Sequence, residues 1–256
     1  MKGDTASKQI AAEVQSVRTP WGIIGYILKR SHKRRTLEMC VTDQGRLRVA
    51  APLRMKLSEI NDFIIQKSAW IVRQLERADQ RQRILSTKTY ASEQEFLFLG
   101  RKYPLSVRQK PVLRSQIRFN ERGWSVVVPS QPGEKRTRFI VKDKLISWYR
   151  QQAKEILGGR VLYFARQMGL DLKRIGIRSQ KSIWGSCHVR TRAVHLNWQL
   201  VMMPVDVIDY IVVHELAHLY HCNHSKRFWN KVAKVLPDFR DRQAWIKHHQ
   251  LDLILP

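Results

Sequence analysis

The segment from Val207 to Leu219 constrains the fold of this chain more than any other part of the sequence. Apolar residues occur almost all around it at helical spacing, which is typical of a helix buried on every side. The same segment carries His214, Glu215 and His218. A buried carboxylate without a partner costs on the order of several kcal/mol, so these polar side chains need partners or a chemical task.

The spacing of the three polar side chains suits a metal ion. His214 and His218 are four residues apart, so their rings lie one above the other on one helix face and can converge on one tetrahedral ion. Glu215 lies one step round the helix, where it reaches a water on such an ion without binding the ion. This is the H-E-x-x-H arrangement, in which the metal acidifies a water and the glutamate accepts its proton. The alternative interpretation is a pair of core histidines with ordinary hydrogen-bond partners.

Two later histidines are candidates for a third ligand. His221 shares the helix face of His214, but two turns of rise, about 10.5 Å, separate their backbones if the helix continues. His224 follows Asn223, and asparagine tolerates the left-handed conformation that ends helices. A turn there brings His224 back under the metal, so we favour His224. His221 is then a residue of the pocket, a support for a ligand, or merely exposed.

Tyr220 is a candidate helper near an oxyanion or a packing residue.

The charge of the chain points to anionic partners without defining one. Lys and Arg number 47 and Asp and Glu 21, which gives a net charge of +26. Such a surplus attracts polyanions, including nucleic acids and anionic substrates. The basic residues are spread along the chain, with one dense run at 29–35, and no recognised nucleic-acid motif accompanies them. We therefore favour a solvated surface; Trp21 and Tyr26, with that run, are the candidates for binding nucleic acid.

Composition excludes several other classes. A hydrophobic content of 43% is enough for a real core, and no apolar run approaches the roughly 20 residues that span a bilayer. The N-terminus has no apolar core of a secretory signal. Cys40, Cys187 and Cys222 are odd in number and widely spaced, so we expect no disulfide framework and a cytoplasmic location.

Four runs in the last third of the chain carry a resemblance. They are KSIWGSC at 181–187, VHLNW at 194–198, DYIVVHELAH at 209–218 and NHSKRFW at 223–229. They resemble the YgjP-like family of metal-dependent hydrolases, which is related to the SprT-type and WLM-type zincin metallopeptidases. The match is specific over about 175–248 and weaker upstream, at 98–103 and 29–35.

The resemblance implies an α+β fold. It places a zincin-like hydrolase domain, with its active-site helix on a small mixed sheet, at 91–256, and the metal core at 175–248. The region 1–90 is then a strand-rich unit with one helix. The family pattern implies two helix histidines and a later histidine as ligands of Zn²⁺ or another divalent transition metal, and the adjacent glutamate as the catalytic residue. These positions are His214, His218, His224 and Glu215.

Related zincins also have an edge strand along the cleft, which pairs with an extended peptide. By analogy, Ser182–Cys187 is that strand and Ala193–Leu200 is its inner neighbour. Trp184, Gly185 and Ser186 then line the cleft, together with the pocket candidate His221. The alternative is a core aromatic at Trp184 and a bulge at Gly185.

Three functions are consistent with these features. The favoured one is a zinc-dependent peptidase that acts on a peptide or protein. The second is a nucleotide pyrophosphohydrolase that uses the same activated water; the charge favours it, and the lack of a phosphate-cradling glycine motif weakens it. The third is a nucleic-acid-associated protein with a SprT-like protease domain, by analogy alone.

Overall fold

The computed structural model describes residues 12–130, 133–180 and 183–255. The chain divides into two units, Met1–Thr87 and Lys88–Pro256, each with its own hydrophobic core. We propose that these units are the two domains expected from the sequence, with the boundary at Thr87 in place of residue 90. Both units combine helices with strands, so the expected α+β class is confirmed.

The first unit is a four-stranded sheet packed on two helices. Its elements are β1 (Glu13–Thr19), β2 (Gly22–Ser31), β3 (Glu38–Val41), β4 (Leu47–Pro52), α1 (Leu57–Gln66) and α2 (Ser68–Thr87). The strand order is β1-β2-β4-β3, with β2 and β4 parallel and the other pairs antiparallel. Alternate strand residues point to one face, so Ile24 and Leu28 share a core with Ile60 and Ile64 of α1.

This unit contains two helices where one was expected. The first ends at Lys67, whose φ of −96° and ψ of 6° depart from helical values, and α2 begins at Ser68. The buried Ser68 hydroxyl donates to the carbonyl of Ile65 at 2.7 Å. Apolar spacing continues across this bend, and for that reason the hydrophobic pattern alone does not reveal it.

Two of the residues considered for nucleic-acid binding are engaged inside the unit. Tyr26 is 2% exposed and its hydroxyl donates to Asn61 Oδ1 at 2.7 Å, so its ring is not free to stack on a base. Arg30, within the basic run, donates to the main-chain carbonyls of Leu53 and Met55. Only Trp21, 63% exposed, keeps the open surface that stacking needs.

The described residues of the second unit form two sheets and four helices. Its strands are β5 (Glu95–Phe98), β6 (Arg101–Lys110), β7 (Gln116–Asn120), β8 (Gly123–Pro129), β9 (Arg174–Arg178), β10 (Gly185–His188) and β11 (Ala193–Asn197). Its helices are α3 (Glu134–Gln167), α4 (Val205–Ala217), α5 (Lys226–Val235) and α6 (Phe239–His249), with a 3₁₀ helix at Trp198–Met202. In the described part of the chain, none of the helices is long and apolar enough to cross a bilayer.

The smaller sheet of this unit, in the order β10-β11-β9, contacts α4. Strand β11 is parallel to β9 and antiparallel to β10, so the sheet is mixed and β10 is its edge strand. The expected edge strand started at Ser182, which lies outside the described residues. The expected inner strand ends at Asn197, short of Leu200, because the Asn197 side chain accepts from the Gln199 amide at 3.0 Å and caps the 3₁₀ helix.

Helix α4 is buried among α3, α5, α6 and this sheet, as its apolar sequence predicts. Two of its buried residues are acidic, Asp209 and Glu215. Asp209 has a partner in α3: Arg160 donates through Nε to Oδ1 at 2.6 Å and through Nη2 to Oδ2 at 2.5 Å. Burial raises the pKa of Asp209 although Arg160 acts in the opposite direction, so desolvation outweighs the ion pair.

Replacing Arg160 with alanine is expected to lower the free energy of unfolding by about 2 kcal/mol, because Asp209 would stay buried without its partner. Arg160→Lys should restore only part of this loss, since an ammonium cannot form the two parallel bonds of a guanidinium. Equilibrium urea unfolding of the three proteins measures both effects. A change below about 0.5 kcal/mol, the range of an ordinary exposed ion pair, would contradict this role.

Candidate metal centre

The two histidines of H-E-x-x-H lie at the carboxyl end of α4. His214 is in the last turn, and His218 is the C-cap residue, still in the right-handed helical region. Their ring centroids are 5.1 Å apart. The carbonyl end of a helix carries partial negative charge, so this position favours a bound cation.

The chain then turns back and brings His224 to the same place. After Ala217 the regular i→i−4 hydrogen bonding of the helix ends. The amide of Leu219 donates to the carbonyl of Leu216, and the amides of Tyr220 and His221 both donate to the carbonyl of Ala217. The expected left-handed residue at Asn223 is wrong, because Asn223 is not among the described residues with positive φ. Bonds of the i→i−3 type tighten the helix end at 218–220, and the chain then bends at 222–223 without a left-handed residue.

Three imidazole rings converge after this turn. Nε2 of His224 lies 3.1 Å from Nε2 of His214, and the ring centroids of His218 and His224 are 4.8 Å apart. One nitrogen from each ring lies within 4.8 Å of the others. Two nitrogens on one tetrahedral zinc are separated by about 3.3 Å, given the usual zinc–nitrogen length. The spacing and the donor type of these residues therefore fit one zinc-like ion.

The main chain orients one of the rings. Nδ1 of His218 lies 3.2 Å from the carbonyl oxygen of His221, and a carbonyl can only accept, so Nδ1 carries the proton. Nε2 is then the free donor atom for a metal. His221 was expected to line the pocket; within the described residues its side chain does not line the cavity, and it supports His218 through its backbone.

Burial keeps the other helix ligand neutral. It lowers the pKa of His214, and the neighbouring His218 and His224 act in the same direction, so that this pKa is about 4. Burial also lowers the pKa of His218. Neutral imidazoles are the form that binds metals, so both rings are ready to coordinate at neutral pH.

Phe228 of α5 lies beneath all three rings and is fully buried. Its ring centroid is 5.0 Å from that of His214, 4.6 Å from that of His218 and 4.8 Å from that of His224. The Nδ1 atom of His214 is buried without a hydrogen-bond partner, so on that side of the ring packing positions the side chain. The apolar spacing of α5 predicts a core residue at 228, but nothing in the sequence indicates this shared position.

Glu215 differs from the other buried acid of α4 in having no partner. Among the described residues, no side chain or amide donates to its carboxylate, although the residue is only 7% exposed. Burial raises the pKa of this carboxyl from 4.5 to about 7. The group therefore exchanges its proton in the neutral range, as a general base does.

This shift gives a prediction for the metal-free protein. The folded state keeps the Glu215 proton up to about pH 7 and the unfolded state loses it near 4.5, so the free energy of unfolding falls as the pH rises between these values. The loss is about 3 kcal/mol. Glu215→Gln should therefore match the wild type at pH 4 and exceed its stability by about 3 kcal/mol at pH 8.

Urea unfolding in the presence of a chelator, from pH 4 to pH 8, measures this difference. Other groups, including His214, titrate in both proteins and cancel in the comparison. Parallel stability curves for the two proteins would contradict a buried and unpartnered Glu215.

A cavity of about 600 Å³ opens beside the three rings. Trp184, Gly185 and Ser186 of the edge-strand segment line it, as do Glu215 and Cys187. Burial raises the pKa of the Cys187 thiol to about 11, with Glu215 acting in the same direction. Among the described residues, the sulfur is not one of the atoms that converge with the three imidazole nitrogens.

Gly185 allows strand β10 to approach Glu215 closely. A Cβ atom at this position would lie 2.6 Å from Glu215 Cγ and 2.8 Å from its Oε1, closer than real side chains come. The glycine is required by this contact and not by a bulge or an unusual backbone angle. The sequence shows that residue 185 is a glycine, but it does not show that Glu215 of α4 lies against it.

Of the two interpretations of Tyr220, the structure supports the packing residue and not the helper near an oxyanion. The hydroxyl of Tyr220 donates to the main-chain carbonyl of Met168, and Lys231 Nζ lies 3.8 Å above its ring, so Tyr220 is a packing residue. Tyr210, one turn before His214, lines the cavity instead. The i, i+4 spacing from Tyr210 to His214 was the signal that could have identified it.

Comparisons with known proteins give the following matches. The profile of the YgjP-like metallopeptidase domain matches residues 35–249, a span that crosses the division between the two units. No curated protein matches the chain. The metallopeptidase zymogen abylysin of Pyrococcus abyssi, a solved structure, matches with a TM-score of 0.30 and 23% identity, over 41% of this chain and 95% of that chain.

Proposed function

This chain belongs to the YgjP-like metallopeptidase family, and on that premise we propose that it is a zinc-dependent peptidase. The observation that carries the proposal is the convergence of His214, His218 and His224 beside the buried carboxyl of Glu215. The three imidazoles would hold the ion, and Glu215 would be the general base.

In this proposal the metal ion, Glu215 and His214 have different roles. When bound, zinc supplies a Lewis acid and lowers the pKa of water. Glu215 takes a proton from the attacking water at its carboxylate and passes it to the leaving amine. In the metal-free protein burial gives this carboxyl a pKa of about 7, well above that of an exposed glutamate, which favours a group that takes up a proton. Burial also keeps His214 uncharged, so it does not compete for that proton.

We propose that the substrate is an extended peptide. Strand β10 is the edge of its sheet, and its residues Gly185 and Ser186 line the cavity. A free strand edge binds an extended chain through main-chain hydrogen bonds. Ile183, Trp184 and Val189 form the walls, which favours apolar substrate side chains near the scissile bond.

The lining of the cavity favours a peptide over a nucleotide. Within the described residues, no lysine or arginine side chain lines it, whereas a triphosphate needs several cationic or amide donors. The cationic side chains of the described residues therefore lie outside the cavity walls. The net positive charge of the chain favours an anionic protein or a nucleic acid as a partner. Such a partner would contact the outer surface and would not supply the group that reacts in the cavity.

The test compares substrates and metals in one experiment. Purified protein is depleted with a chelator, reconstituted with zinc, and incubated with casein and with nucleoside triphosphates. We expect casein cleavage that disappears on depletion, returns with zinc and is absent for Glu215→Gln. Hydrolysis of triphosphates without any peptide cleavage would overturn the proposal.

A further inference from the structure

Tyr210 occupies the wall of the metal cavity one helical turn before His214. Its ring centroid is 5.9 Å from that of His214, and Phe239 stacks on it at 6.4 Å with an interplanar angle of 20°. The i, i+4 relation places both side chains on one face of α4. The ring is therefore fixed by packing on both sides, at a position where it lines the same cavity as Glu215.

The hydroxyl of Tyr210 makes no contact that holds it inside the described part of the protein. It has no hydrogen-bond partner among the described residues, and it is not among their fully buried unpaired polar atoms. The residue is 4% exposed and lines the cavity, and we infer that its hydroxyl is the part that reaches the cavity. An unpaired phenol in an apolar wall is costly unless a ligand or water accepts its proton.

We propose that the Tyr210 hydroxyl donates a hydrogen bond to the oxygen of the scissile carbonyl as negative charge develops there. This assignment rests on the proposed peptidase function. The hydroxyl keeps its proton throughout, so it takes part in no bond making or breaking. A fixed donor in a water-poor cavity stabilises such charge far more than a donor in bulk water. Burial raises the pKa of this hydroxyl to about 12, which suits a group that donates without ionising.

Tyr210→Phe removes the donor and keeps the ring that packs against Phe239. Tyr220→Phe is the matched control, because its hydroxyl bonds the carbonyl of Met168 away from the cavity. The three zinc-loaded proteins are compared for zinc content, for kcat and KM on a peptide that the wild type cleaves, and for the Kd of acetohydroxamate by calorimetry.

For Tyr210→Phe we expect kcat to fall by about 10²-fold, with KM within about twofold and zinc content unchanged. Acetohydroxamate places an anionic oxygen at the ion, so its Kd should rise by about tenfold, as expected for one lost hydrogen bond. Tyr220→Phe should match the wild type in all three measurements.

The assignment would be overturned if Tyr210→Phe had the kcat and the acetohydroxamate Kd of the wild type. It would also be overturned if the variant lost zinc, because that result indicates a structural role for the hydroxyl. If the wild type cleaves no peptide, the proposed peptidase function fails. The acetohydroxamate comparison still decides in that case whether Tyr210 donates into the cavity.

Discussion

Glu215→Gln is expected to lower kcat by about 10³-fold while leaving the bound metal in place. The amide keeps the shape of the side chain but cannot accept the proton of the attacking water, and positioned general bases contribute on this scale. Since Glu215 is not one of the three converging imidazoles, the metal content should not change. Steady-state kinetics on a cleavable peptide, with zinc analysis of the same samples, measures both quantities.

Glu155→Gln provides the control for this experiment. Glu155 lies on the exposed surface of α3 and does not line the cavity, so the substitution makes the same chemical change away from the site. It should retain wild-type kcat. If Glu215→Gln kept more than about a tenth of the wild-type rate, another group would have to accept the proton.

Gly185→Ala is expected to lower kcat by about 10²-fold, again without loss of metal. The added methyl group would lie 2.6 Å from Glu215 Cγ and 2.9 Å from its Cδ, so the carboxylate or the edge strand must move. A displacement of about 1 Å at a reacting group costs on this scale. The same kinetic and zinc measurements apply, and the fall should be in kcat more than in zinc affinity.

Gly159→Ala is the matched control for this glycine. A Cβ at 159 meets no atom within 4 Å, and the residue lies inside α3, where alanine is the better helix former. Its activity should equal that of the wild type, with stability raised by about 0.5 kcal/mol. Normal activity in Gly185→Ala would contradict a close approach of β10 to the general base.

The parts of this protein that the sequence predicts depend on local geometry. A helix that is apolar on all sides must be buried, and a four-residue spacing must place His214 and His218 on one face. The α+β class and the membership of the YgjP-like family are confirmed. The structure also brings His224 to these two rings, and the role of the three as ligands stays a prediction.

What the sequence did not reveal depends on contacts between distant segments. Gly185 against Glu215 and Arg160 on Asp209 join elements that do not follow one another in the chain. Phe228 is on the helix that follows α4, but its contact with all three rings depends on how that helix packs. Local rules also gave wrong details. The turn before His224 was assigned to a left-handed Asn223; the chain does bend at 222–223, but Asn223 is not among the described residues with positive φ.

The metal content of this protein and of its His224→Ala variant tests the three-imidazole site most directly. Both proteins are purified without added metal and dialysed against zinc and then against metal-free buffer. Their zinc content is measured by inductively coupled plasma mass spectrometry. We expect about one zinc per chain in the wild type and a large loss in the variant, because two ligands from one helix cannot complete a tetrahedral site. A wild type that retains no metal, or a variant that retains it fully, would contradict the site.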